Sequence, residues 1–268
     1  MSRNDQITQL VENILKSNKY QHVSPDLIER IGRTELSKRR KFKDALKATK
    51  SKLHQISGAY MDTRREYANW LVELEAACGD TEKMQSTLKR VLHNHTSTRE
   101  RIPILERFYT QILSKIPPVT SILDIACGLN PLSFPWMGLS YDISYYACDI
   151  YADMVAFVGQ ALSIIGINAT VEVCDVVTTP PDYEVDLALL LKSIPCLEQI
   201  DKTAGTLLLN SIQADHLLIS FPVQSISGHD KGMPGYYRSH FYELIGTRPW
   251  KVQEFFFDSE LAFLVTRV

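Results

Sequence analysis

The sequence predicts an α/β protein: a mostly parallel, seven-stranded sheet closed by an antiparallel hairpin, with an all-helical domain in front of it. Three observations carry this. First, Ser121-Ile-Leu-Asp-Ile-Ala-Cys-Gly-Leu-Asn-Pro131 joins a short, mostly apolar run to a turn of small residues. That is the pattern of a strand buried on both faces, whose end lets backbone approach a ligand. Second, strand-like runs follow at 144–150, 169–174 and 185–191, with Asp149, Asp175 and Lys192 at their ends. Asp149 comes about 20 positions after the turn, where a carboxylate can accept both hydrogen bonds of a ribose diol. With Asp124 on the first run, three successive strands carry an acid at or beside the tip, the pattern of a Rossmann-like, class I S-adenosylmethionine (SAM) methyltransferase sheet. Third, residues 1–92 hold no strand-like run.

A chain of 268 residues, 45% hydrophobic and 22% charged, can bury a substantial core in one large or two smaller domains. It has no apolar stretch of about 18 residues or more, and Met1-Ser-Arg-Asn-Asp-Gln is polar. Neither a membrane span nor a signal peptide is expected, and a cytoplasmic protein is. The five cysteines, at 78, 127, 148, 174 and 196, show no CxxC or Cys/His spacing, so no metal site is expected and a reducing compartment fits. The charge is unevenly placed. Residues 1–95 carry 18 Lys and Arg against 12 Asp and Glu, and the remainder carries 11 against 19. A basic front half points to an anionic polymer as partner, although a solvated helix face has the same composition.

In chain order, Ile7, Leu10, Val11, Ile14 and Leu15 form an amphipathic helical stripe. Ser24-Pro25-Asp26 signals a second helix start. Over 36–56, Phe42, Ala45, Leu46, Thr49, Leu53 and Ile56 share one helical face. Arg39, Lys43, Lys47 and Lys50 line the adjoining face, with Arg40 beside them. Such a helix docks through its apolar stripe and offers cations to phosphates, which position a nucleic acid without reading its sequence. Gly58-Ala-Tyr60 breaks the pattern, Arg64 and Arg65 add cations, and two more helices complete a bundle of four or five. We place the domain boundary at 94/95. The segment 95–101 reads two ways: Ser97-Thr98-Arg99-Glu100 matches a capping box, but Pro103 would cost a hydrogen bond in a helix begun there. The second reading leaves an irregular, hydroxyl-rich, cationic loop. Beyond the cofactor strands, 198–212 reads as helix and 215–221 as a fifth strand. Residues 223–235 read as a mobile loop over the site, 236–247 as helix, and 250–257 with 260–266 as the closing hairpin.

His95-Thr-Ser-Thr-Arg-Glu-Arg101, Leu123-Asp-Ile-Ala-Cys-Gly-Leu-Asn-Pro131 and the basic helical front together resemble one family over nearly the whole chain. It is the aminoglycoside-resistance 16S ribosomal RNA methyltransferases that modify N7 of a guanine in the decoding-site helix. The resemblance implies SAM as cofactor and the 30S subunit as partner, with a monomer expected. It implies that His95, Thr96, Ser97, Thr98, Arg99, Glu100 and Arg101 close over the methionine end of SAM. Arg101 would pair its carboxylate, with Arg99 as the alternative. Ala126 and Gly128 would approach the amino acid portion, Asp149 the ribose, and Asp175 with Val176 the adenine. Leu191 and Gln199 would line the pocket, and Tyr60 would reach it from the helical domain. Lys192 would bond guanine O6 or a phosphate with Glu198 as its neighbour, unless the two form an ordinary salt bridge beside the site. Arg39, Arg40, Lys43, Lys47, Lys50, Arg64 and Arg65 are the candidate RNA contacts. The single-Gly turn departs from general SAM enzymes and fits this family's Cys-Gly-Leu-Asn-Pro. A SAM enzyme acting on a small molecule beneath a helical lid is the rival reading.

Overall fold

The computed structural model describes residues 2–57, 66–223 and 233–267. Among the described residues, five helices come first: α1 (Arg3–Leu15), α2 (Pro25–Lys38), α3 (Phe42–Ser57), α4 (Tyr67–Glu75) and α5 (Thr81–Leu92). Their apolar stripes face inward, with Leu10, Ile14, Leu27, Ile28, Ala45, Leu53, Leu74 and Leu88 fully buried. The single helix expected over 36–56 is two helices. Arg39 caps α2 in an extended conformation, and the chain re-enters helix at Phe42. Glu35 explains the break. Its carboxylate is buried and gathers Arg39 and Lys52 from the two helices, so Arg39 turns back to it.

The segment 95–101, which reads from sequence as either a helix start or a loop, is helical. His95 stands at the N-cap of α6 (Thr96–Arg101), which passes through a 3-10 turn (Ile102–Ile104) into α7 (Leu105–Leu113). Pro103 falls at the start of the 3-10 turn, where no helical donor is lost. Thr98 bonds back through Oγ to the Leu92 and His95 carbonyls, which ties α6 to the end of α5.

The sheet follows: β1 (Ser121–Ile125), β2 (Ser144–Asp149), β3 (Ala169–Val173), β4 (Glu184–Leu191), β5 (Gln213–Pro222), β6 (Lys251–Phe256) and β7 (Glu260–Thr266), in the order β3-β2-β1-β4-β5-β7-β6. Strands β1 to β5 pair in parallel, while β7 runs antiparallel between β5 and β6. Helix α8 (Ala152–Ile164) crosses from β2 to β3. The 198–212 stretch resolves into α9 (Ile194–Glu198), which starts earlier, and α10 (Ala204–Ser211). Helix α11 (Met233–Ile245) precedes the hairpin. Successive β1 residues serve opposite faces, as the strand pleat requires. Ile122 joins the cluster that continues into helices α1 to α5, and Leu123 and Ile125 join the cluster beneath α10 and α11. Strand order reverses between β1 and β4, so the crevice beyond their carboxyl ends is where this topology places a ligand.

Candidate active site

A cleft opens at that switch point, walled by Ala126, Asp149, Val176, Leu191, Lys192 and Leu197 among others. Two backbone features shape its floor. Ala126, Gly128 and Lys192 all have positive φ, near 51°, 53° and 57°. Glycine is required at 128 on a second count, because a Cβ there would lie 2.9 Å from the His95 ring. The Gly128 N–H points to Asp149, donating to Oδ2 at 2.9 Å, and the Ile150 N–H donates to Oδ1 at 2.7 Å. Burial raises the Asp149 carboxyl above its ordinary value, while these backbone donors counter the shift.

Beneath the cleft lies a buried polar network. Arg101 and Glu260 are both 0% exposed. Arg101 donates Nε (3.0 Å) and Nη2 (2.7 Å) to Glu260, Nη1 to Asn130 Oδ1 at 2.8 Å, and rests over the Phe108 ring. Lys192 Nζ meets Glu100 at 2.8 Å and Glu260 at 3.4 Å, and Ser220 also donates to Glu260. Burial pushes the Glu260 carboxyl up, but the charges of Arg101 and Lys192 reverse this and hold it below its ordinary value. Asn130 passes the network to Asp124, whose Oδ2 accepts from Asn130 (2.8 Å) and from the Tyr145 hydroxyl (2.9 Å). Asp124 Oδ1 is buried with no hydrogen-bond partner, and the residue lines the cleft. Desolvation raises its carboxyl to about 7 against the help of Asn130 and Tyr145. His95 moves the other way, to about 4, through desolvation and then the charges of Arg101, Arg99 and Lys192, so at neutral pH it is an uncharged imidazole.

Of the residues expected to hold the cofactor, His95, Ser97, Ala126, Asp149, Asp175, Val176 and Leu191 line the cleft. Gly128 acts through its N–H on Asp149. Arg101, expected to pair a cofactor carboxylate, is engaged within the fold by Glu260, as a fully buried guanidinium must be. Arg99 donates to Thr96 Oγ within its own helical turn, and Glu100 reaches the site as the partner of Lys192. Gln199 is exposed, while Cys196 and Ile200 from the same segment supply the wall. Glu198, expected as the neighbour of Lys192, is engaged by other residues: its Oε2 bonds His240 Nε2 at 2.7 Å, and its Oε1 lies against Gly205 of α10. Tyr60, Arg64 and Arg65 lie outside the described residues, as does most of the loop expected over the site. On the basic face, Lys43 and Lys47 stand exposed on α3 with Lys50 half-buried. Arg40 is exposed in the connection before them, and Arg39 is engaged by Glu35.

Three contributors come from long range and carry no local signal. Leu27 and the cleft-lining Tyr151 belong to a junction in which the Ser24 N–H bonds the Ile150 carbonyl and the Ala152 N–H bonds that of His22. Arg30 pairs with Asp175. No local pattern marks residues that act across more than a hundred positions, although Leu27 and Arg30 do share one face of a helix at i, i+3 spacing. Asn130 was readable, as a polar residue inside an apolar turn.

The cleft suits SAM. It is mostly apolar, as an adenine requires. It presents Asp149 at the β2 tip for a diol, and at Asp124 a buried carboxylate oxygen whose missing partner an ammonium would supply.

The comparisons with known proteins agree with this geometry. The signature of the FmrO family, ribosomal RNA methyltransferases, matches residues 16–264. A 16S rRNA (guanine(1405)-N(7))-methyltransferase of Micromonospora echinospora is 36% identical over 267 residues, covering 98% of this chain and 97% of that protein. The corresponding enzyme of Serratia marcescens is 32% identical over 241 residues, covering 90% and 89%. Among solved structures, 16S rRNA methyltransferase RmtF in complex with S-adenosyl-L-homocysteine superposes with a TM-score of 0.86 at 29% identity, over 100% of both chains. A second, the 16S rRNA methylase RmtB, gives 0.79 at 28% identity over 98% of each. The chain belongs to the FmrO family of ribosomal RNA methyltransferases.

Proposed function

We propose that this protein methylates N7 of guanine 1405 of 16S rRNA in the 30S subunit, the position named for its relatives, and thereby confers aminoglycoside resistance. SAM, when bound, supplies a methyl group made electrophilic by its sulfonium. The observation that carries the reading is the switch-point cleft, which Asp149 and Asp124 line from adjacent strands, Asp124 with a buried oxygen that has no hydrogen-bond partner. Asp149 would hold the ribose diol and Asp124 the ammonium, while Asp175 and Val176 would border the adenine. Ala126 and Gly128, by their left-handed backbone, allow close approach.

Guanine N7 offers an in-plane lone pair and carries no proton, so no general base is needed. The residues have to orient the base and exclude water, which is catalysis by proximity. Lys192 suits the orienting role. Its strained backbone projects the side chain at the β4 tip, and its ammonium is fixed between Glu100 and Glu260 with a third N–H for guanine O6. N7 lies in the deep, narrow groove of an A-form helix, so the target base must leave its stack to enter the cleft. The basic face of α3, in the domain before residue 95, would hold the flanking phosphates meanwhile.

Labelled SAM and purified 30S subunits provide the test. Label should enter 16S rRNA, and borohydride and aniline cleavage followed by primer extension should stop at guanine 1405. Unlabelled 30S subunits alongside methylation of a small molecule would overturn the proposal in favour of a helical-lid enzyme.

A further inference from the structure

Helix α2 reaches the rim of the cleft from the helical domain. Arg30 makes a two-pronged contact with Asp175, Nε to Oδ2 at 2.6 Å and Nη2 to Oδ1 at 3.0 Å. Asp175 itself is buried, its side chain 2% exposed against 21% for Arg30. One turn earlier on α2, Leu27 lines the same cleft. The β3 tip that carries Asp175 is bound in turn to the β2 tip, because the Cys174 N–H donates to the Asp149 carbonyl at 2.9 Å. On its other side Arg30 faces the segment after α9. The Asp201 carboxyl there is held low, first by hydrogen bonds from Thr203 and further by the charge of Arg30, and its neighbour Ile200 is part of the cleft wall.

We infer that Arg30 is a positioning residue of the cofactor site, which fixes Asp175 and makes α2 a working wall of the pocket. This rests on the reading of the cleft as the SAM site. The physical reason is the cost of a buried carboxylate without its partner. Among the described residues, Asp175 keeps only Thr178 Oγ at 2.9 Å and the Val177 N–H at 3.4 Å when the guanidinium is removed. It would then turn toward water, moving Val176 and the wall against which the adenine is expected. A lysine keeps the charge but cannot engage both oxygens in one plane.

The test is calorimetric titration of the full-length protein with S-adenosylhomocysteine, paired with thermal melting. Arg30→Ala should weaken binding on the order of tenfold while melting stays cooperative, and Arg30→Lys should fall between. If Arg30→Ala does not fold, Arg30→Lys carries the test, with unchanged affinity overturning the inference. Combining Arg30→Ala with Asp175→Asn should cost no more than Asp175→Asn alone, since the arginine acts through the acid. Arg33→Ala, which removes an exposed ion pair with Glu29 on the same helix, should leave affinity unchanged. A lowered melting temperature with unaltered affinity in Arg30→Ala would reduce Arg30 to a structural brace and overturn the inference. Failure of the unsubstituted protein to bind would instead remove the pocket reading and this one with it. Failure of 30S methylation alone would leave these titrations standing.

Discussion

Arg101 lies beneath the cleft and Lys192 in its wall, both nearly or fully out of solvent, and both meet Glu260. Lys43 and Lys47 stand in water on α3, and among the described residues neither makes an ion pair. The same charge does opposite work in the two places. A buried cation must be compensated within the fold, so it becomes a fixed point from which neighbours take their geometry. An exposed cation keeps its hydration and remains available to any phosphate that approaches, at an energy that salt controls. The proposed cofactor side is therefore specified by pairs, and the proposed RNA side by placement of charge.

The strongest way to break this contrast is at Glu260. Replacing it with Ala leaves Arg101 and Lys192 buried without their shared carboxylate, and should cost about 3–5 kcal/mol in urea unfolding. A loss below about 1 kcal/mol would mean the network is not the anchor described. Asp149→Ala comes next. It removes the expected diol acceptor and frees the Gly128 N–H, so affinity for S-adenosylhomocysteine should fall about tenfold or more by titration; unchanged affinity would move the cofactor elsewhere.

Asp124 supplies a pH-dependent distinction. Its carboxyl is raised to about 7 in the fold. Below the ordinary aspartate value it is protonated whether the chain is folded or not, and the stability it contributes is fully present. As pH rises toward 7 the unfolded chain releases the proton and the folded chain keeps it. Stability from this group therefore falls, by at most about 1.4 kcal/mol per pH unit, and levels off above 7. Asp124→Asn should flatten that slope relative to the unsubstituted protein, and an identical slope in both would exclude Asp124 as its source. The smallest effect is expected at the surface. Lys43→Glu with Lys47→Glu should weaken 30S binding and make it less salt-dependent, with affinity for S-adenosylhomocysteine unaltered.

The same contrast explains what could be read without a structure. The β1 turn, the 21-residue step from Gly128 to Asp149 and the closing hairpin are local patterns, and each falls where the chain's own period and turn residues put it. The basic stripe of α3 was legible for that reason, but the helix break before it was not, since it depends on Glu35 being buried between two helices. Arg101 shows the limit most sharply. A cation in a hydroxyl-rich segment suggests a ligand carboxylate, and nothing in the spacing reveals that Glu260, 159 residues away, engages it within the fold. The His240 partner of Glu198 is equally hidden, because the orientation of a five-residue helix sets it. Asp175 lines the cleft, but its partner on α2 could not be read from spacing.

A crystal structure of the full chain with S-adenosylhomocysteine tests the central claim most directly. The account predicts the ligand at the β1–β4 switch point, its ribose hydroxyls on Asp149, its amino group on Asp124 Oδ1, and Arg101 still bound to Glu260. A ligand in any other crevice, or one whose carboxylate has drawn Arg101 off Glu260, would contradict it.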